Sequence, residues 1–205
     1  MFKTIAKKSE IEIIEKKSRF IGVAYPIASP NEAILLIQEI KNKHPKANHN
    51  CSAYTVGEMH KYDDDGEPGG MAGLPIFSVL QKENIHNTLV VVTRYFGGIL
   101  LGGGGLVRAY SKAAREAVMA AEVVTMVQFV RYQLSLSYEL LGKVQYYLAK
   151  NNITTENTVY QEKIELTTVV LESNRKLFEN SIKEIDYTIE IKELEIIYGR
   201  DVLVR

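Results

Sequence analysis

Apolar and polar positions alternate along this chain in short blocks, and the blocks fall into two successive patterns. Residues 9–15 alternate loosely around Ile11, Ile13 and Ile14, and residues 20–27 are β-rich and closed by Pro26. They predict a hairpin whose tip is the basic run Lys16-Lys17-Ser18-Arg19. Ser29-Pro30-Asn31-Glu32 carries a cap, a proline suited to the first helical position and a capping-box acid. Ala33, Leu36, Ile37 and Ile40 then recur at helical spacing, and the helix is predicted to stop before Pro45. A short strand over 52–57, a helix over 75–81 and a continuous β-branched strand over 88–93 follow. That strand runs into a glycine-rich loop and then into a helix with Leu106, Tyr110, Ala113 and Ala117 on one face.

Near Val123 the pattern restarts. Residues 125–137 alternate as a strand, 139–150 form a helix with Leu141, Val144 and Leu148 on one face, and 153–160 and 163–171 form two strands. Residues 174–185 form a helix with Leu177, Phe178, Ser181 and Ile182 inward, and 189–198 close as a strand. The order β-α-β-β-α-β is the ferredoxin-like arrangement, and about 75 residues suffice for it. The expected division is therefore 1–124 and 125–205, in an α+β protein.

Composition narrows the class. Apolar residues make up 46% of the 205 positions and charged residues 24%, with formal net charge zero. Residues 1–124 hold 15 Lys+Arg against 13 Asp+Glu, and residues 125–205 hold 10 against 12. Neither half is a polycation, which disfavours strong non-specific duplex binding. One cysteine, Cys51, excludes an intrachain disulfide and a multi-cysteine metal site. No apolar run approaches the ~18 residues of a membrane span, so no membrane partner and a cytoplasmic location are expected.

Two stretches carry candidate chemistry. Six of the fourteen glycines fall between Gly97 and Gly105, bracketed by Arg94 and Arg108. Such density marks positive φ or close approach of something to the backbone, and a helix start favours an anion. The loop could hold a negative group, hold another backbone, or simply turn tightly. Asp63-Asp64-Asp65-Gly66-Glu67 puts four carboxylates within five residues without the spacing of an EF-hand. It reads as a solvated acidic turn, a weak magnesium site at Asp64, Asp65 and Glu67, or an acidic patch facing a basic partner. Adjacent aspartates favour a nearby cation or arginine, and Arg94 and Arg108 are the candidates. The basic tip is a solvated turn or a phosphate contact. His44, His49 and Cys51 lack the further ligand a metal would need, so His49 reads as a hydrogen-bonding loop or interface residue. Ser111 and Cys51 are the only nucleophile candidates near the motifs, and neither has a base at telling spacing.

Several of these segments together resemble one family. Ser18-Arg19-Phe20-Ile21-Gly22, His49-Asn50-Cys51-Ser52-Ala53-Tyr54, Asp64-Asp65-Gly66-Glu67-Pro68, Ala72-Gly73-Leu74-Pro75, Arg94-Tyr95-Phe96-Gly97-Gly98 and the run from Leu101 to Tyr110 are similar to the ordered motifs of the Impact/YigZ family. The resemblance covers about 120 residues and continues into the small C-terminal domain of bacterial members. The chain departs from the pattern at Gly70-Met71, where Ser-Gly-Thr is common, and at Leu101, where Lys is frequent. The resemblance implies an N-terminal ribosomal protein S5 domain 2-like, two-layer α/β domain. It also implies a C-terminal ferredoxin-like (βαββαβ) domain similar to elongation factor G domain V. It further implies translation control, since eukaryotic members bind a large activator of an amino-acid-starvation kinase. The preferred reading is a non-enzymatic binding protein contacting RNA, the ribosome or a protein partner. Its binding residues would be Arg19, His49, Asp64, Asp65, Glu67, Arg94, Tyr95, Phe96, Gly97, Gly98, Gly102, Gly104, Gly105 and Arg108. The alternative is a magnesium-dependent enzyme or binder acting on a nucleotide or phosphorylated small molecule. No catalytic residue and no resident cofactor are assigned, Mg²⁺ being the one candidate. The sequence sets no oligomeric state.

Overall fold

A computed structural model describes residues 1–200. Phe2–Thr125 pack as one compact unit, and residues 126–200 pack as a second.

The first unit comprises β1 (Phe2–Ile5), β2 (Ser9–Glu15), β3 (Ser18–Pro26), α1 (Pro30–Lys43), β4 (His49–Val56), β5 (Met59–Asp63), α2 (Gly73–Lys82), β6 (Thr88–Tyr95) and α3 (Gly103–Ala120). Strands β2-β3-β6-β4-β5 form one antiparallel sheet in that order. Strand side chains alternate between faces, and both faces here are covered. Phe20, Ala24, Cys51, Ala53, Val90 and Val92 pack with the apolar faces of α2 and α3. Ile21, Val23, Tyr25, Tyr54, Leu89 and Val91 pack with Ala33 and Ile40 of α1. Helix α1 thus adds a layer to the two-layer arrangement that the resemblance implied. It is capped as its sequence requires: Ser29 Oγ accepts from Glu32 N at 3.2 Å, and Glu32 Oε2 accepts from Ala28 N at 2.8 Å.

Two strands escape hydrophobic patterning. β1 is only four residues long, and all five residues of β5 are exposed, so neither shows apolar alternation. β5 is folded back on β4 by Gly57-Glu58, with Gly57 at φ 55°. Strand β4 starts at His49, earlier than expected, which moves His49 and Cys51 out of a loop and into the sheet.

The second unit is built from β7 (Val123–Leu136), α4 (Leu141–Lys150), β8 (Thr154–Tyr160), β9 (Ile164–Leu171), α5 (Arg175–Ile185) and β10 (Glu190–Arg200). β10 and β9 flank β7, and β8 pairs with β9, all antiparallel. This order is the ferredoxin-like arrangement expected from the pattern. Val130, Tyr132, Leu134 and Leu136 face Val144, Leu148, Phe178 and Ile182. Leu177, expected to point inward, is 66% exposed, because Phe178 and Ile182 already define the buried stripe of α5.

Candidate functional site: a buried polar network beneath an exposed glycine loop

Sheet register divides the expected site residues between two faces. Phe20, Arg94 and His49 are direct cross-strand neighbours on β3, β6 and β4. They lie on the α2/α3 face. Arg19 and Tyr95 are likewise cross-strand neighbours, on the opposite face. Arg94 and Tyr95 are consecutive in one strand, so they cannot serve one surface.

On the α2/α3 face Arg94 is buried, 6% exposed. Its Nη1 donates to Glu67 Oε1 at 2.6 Å. Its guanidinium lies 5.5 Å from the ring centres of both Phe20 and Phe96, an arrangement that favours a cation between aromatic faces. Tyr110 of α3 donates to the same Glu67 oxygen at 2.7 Å. Burial holds the Tyr110 hydroxyl far above the ordinary tyrosine range, with the neighbouring Cys51 and Glu67 adding to the effect, so it remains a donor. His49 Nδ1 donates to the Asp65 carbonyl at 2.8 Å, which leaves Nε2 facing Glu67 Oε1 at 3.9 Å. The expected meeting of the acidic stretch with an arginine therefore occurs, at Arg94 and inside the protein. Arg108 takes no part in it.

Asp64 and Asp65 are partly buried and held by the fold, while Asp63 is exposed. Asp64 accepts backbone N–H bonds from Gly70, Ala72 and Gly73 at 2.8, 3.0 and 2.8 Å and so ties down the start of α2. Asp65 pairs with Lys41 of α1 at 2.6 Å and accepts from Asn50 N at 2.7 Å. Asp64, Asp65 and Glu67 thus point at three different partners. Among the described residues no three histidine, cysteine or acidic groups converge on a common point. Burial works against the charged form of Asp64, but its three amide donors outweigh this and hold its pKa below the usual 3.8. A carboxylate held low stabilises the fold above its unfolded pKa, and the contribution is lost as pH falls through the folded value. Asp64→Asn is expected to lower stability at neutral pH and to flatten the acid loss of stability below about pH 4. Urea titrations at several pH values read this directly.

Cys51 is fully buried, and its thiol donates to the Asp64 carbonyl at 3.0 Å. Burial pushes its pKa up to about 12. A thiol needs its thiolate form to attack, so Cys51 is unsuited to the nucleophile role considered for it. In the native protein it is expected to resist a disulfide reagent at pH 8 and to react fully in denaturant. Rapid native labelling would contradict this placement.

The glycine loop divides by cause. A Cβ on Gly97 would overlap the Lys17 carbonyl and the Ser18 amide, and Gly97 N donates to Ser18 Oγ at 3.1 Å. Another backbone is therefore what the first glycine holds. Gly98 and Gly102 sit at φ 81° and 74°. Gly103 and Gly104, in the first turn of α3, have neither reason. They have no positive φ, and a Cβ on either would meet only ordinary contacts at 3.5 Å. A Cβ on Gly105 would press on Leu101 at 2.9 Å. Among the described residues no side chain caps α3. Its first turn is bare, and Leu100 beside it is 81% exposed.

Arg108 is exposed and lines a groove of about 250 Å³ at this turn with Lys16, Gly105 and Lys112. Lys16 and Lys17 form the tip of the β2–β3 hairpin at φ 46° and 64°. Both are left-handed positions that Asn-Gly fills more readily. Lys112 is paired with Glu15 at 3.3 Å, and Lys16 Nζ reaches the Leu100 carbonyl at 3.4 Å. Lys16 and Lys17 were visible in the sequence as the basic turn, yet their place beside the loop depends on long-range folding. Arg19 is engaged elsewhere, in a two-pronged pair with Glu12 at 3.1 and 2.8 Å. Tyr95 lies 3.0 Å from His44 Nδ1.

Comparison with known proteins agrees with the motifs. Residues 16–118 match the Impact N-terminal domain, and residues 134–188 match a domain of unknown function (DUF1949). The Bacillus subtilis IMPACT family member YvyE is 40% identical over 199 residues, covering 95% of this chain and 92% of that protein. The Escherichia coli family member YigZ is 32% identical over 151 residues, covering 71% and 74% of the two chains. Mouse Protein IMPACT is 31% identical over 100 residues, covering 45% and 31%. A solved structure described as a hypothetical protein aligns with TM-score 0.59 at 26% identity, covering 95% and 97%.

Proposed function

This chain belongs to the Impact family, and from that premise we propose that it is a non-enzymatic binding protein of translation control that contacts ribosomal RNA through its exposed glycine-loop face. The observation that carries the reading is the bare first turn of α3. Gly103 and Gly104 stand there without a packing or φ requirement, beside exposed Arg108 and the Lys16-Lys17 tip. Glycine in a helix costs roughly 0.5–1 kcal/mol against alanine. Missing side chains at a helix start let an anion reach the free N–H groups. Arginine and lysine at its rim suit phosphate, and exposed Phe96 offers a ring for stacking. The magnesium-nucleotide alternative would need Asp64, Asp65 and Glu67 to converge outward, and those three carboxylates are each engaged by a different part of the fold.

The test is the salt dependence of binding to purified ribosomal RNA. Each cation–phosphate pair removed should reduce the slope of log affinity against log salt by about 0.7–0.9. Arg108→Ala is expected to weaken binding and lower that slope by about one. An unchanged slope, or no binding at low salt, would overturn the reading.

A further inference from the structure

On the opposite face of the first unit, a cavity of about 180 Å³ opens between α1 and the β4–β5 hairpin. Register explains its lining. Ser52 and Tyr54 of β4 lie opposite Asp63 and Lys61 of β5, so two cross-strand pairs present four side chains to one side of the sheet. Ile34 and Ile37 of α1 supply the facing apolar wall, and Lys41 closes one end.

Two features of this lining ask for a ligand. Ser52 and Tyr54 are 4% and 8% exposed, yet neither hydroxyl has a hydrogen-bond partner among the described residues. Both residues are buried while their hydroxyl oxygens stay open to the cavity, free to meet a ligand there. The ammonium of Lys61 is likewise unpaired. Lys41 is held by Asp65 at 2.6 Å. Asp63, the one carboxylate in the lining, accepts from Asp65 N at 2.9 Å. Ser52, Tyr54 and Lys61 thus offer two hydroxyls and one cation without partners among the described residues, set against isoleucine.

We propose that this cavity binds a small carboxylate with a compact apolar body, its headgroup on Lys61 and Ser52 and its body against Ile34, Ile37 and Tyr54. Size supports this. A cavity of about 150 Å³ accommodates a benzene ring, so the space suits a ring or a branched aliphatic of that bulk. The site is independent of the RNA-facing loop, which lies on the far face of the sheet.

The probe is phenylacetate, with phenylacetamide as its neutral counterpart, titrated into the full-length protein while backbone amide NMR signals are followed. Phenylacetate is expected to shift the Ser52, Tyr54 and Lys61 amides saturably, with a dissociation constant of about 1 mM or tighter. Phenylacetamide and the Lys61→Ala variant should each show at least about tenfold weaker binding. Ile34 is half exposed, so Ile34→Trp can fill the mouth without unfolding the sheet and should abolish the shifts. Absence of saturable shifts at these amides would overturn the proposal. So would equal binding of acid and amide, or binding that survives both variants.

Discussion

Arg94→Ala is expected to destabilise the first unit by about 3–5 kcal/mol, the usual cost of removing one partner of a buried ion pair. The substitution leaves Glu67, also buried, with the Tyr110 hydroxyl on its oxygen and the His49 ring 3.9 Å away. It also empties the space between Phe20 and Phe96 that the guanidinium fills. Glu67 belongs to the acidic stretch, Arg94 to β6 and Tyr110 to α3, so three distant segments lose a common anchor. Glu67→Gln keeps an acceptor for Tyr110 and should cost less. Replacing both partners by apolar residues should recover much of the loss, because no buried charge is then left unpaired. Urea unfolding of the two single variants and the double variant measures the coupling. A loss below about 1 kcal/mol for Arg94→Ala would place the pair in the weak class of surface ion pairs.

Gly97→Ala should be comparably severe, about 3 kcal/mol, for a steric reason. The added carbon would occupy the position of the Lys17 carbonyl, which is backbone and cannot rotate aside. The β2–β3 tip must then lift from the loop, and the Gly97–Ser18 hydrogen bond goes with it. The same displacement carries Lys16 and Lys17 away from Arg108. The variant is therefore expected to lose both stability and RNA affinity, as read by a thermal melt beside a binding titration. Full retention of both would mean that the tip and loop separate freely.

The legible part of this fold was the part written in apolar periodicity. The β2–β3 hairpin, α1 with its Ser29 cap, the β6 strand and the whole ferredoxin-like half follow from spacing. β5 did not, because an exposed edge strand has no buried side to alternate with. The glycine loop was recognisable as special, and its nearness to Lys16-Lys17 was not, since nothing local encodes that approach. The motif residues mislead in one respect. Arg94, Glu67 and Asp64 share a motif set with Arg108 and the glycines, but Arg94 and Glu67 lie under the surface and Asp64, half-buried, ties down backbone. Charge in a sequence pattern says nothing of burial, and only register separates Arg94 from Tyr95.

RNA binding at the bare turn of α3 is tested most sharply by Gly103→Ala/Gly104→Ala. The native backbone has room for both methyl groups, so the variant should be more stable, by roughly 1 kcal/mol in total. Those methyls would stand against Met71 and beside the Arg108 guanidinium, narrowing the bare turn where an RNA phosphate is proposed to sit. The measurement is co-sedimentation with ribosomes at low and high salt, beside the thermal melt. The predicted result is a higher melting temperature, with the salt-sensitive association abolished. Association equal to that of the unsubstituted protein would contradict RNA binding at this turn.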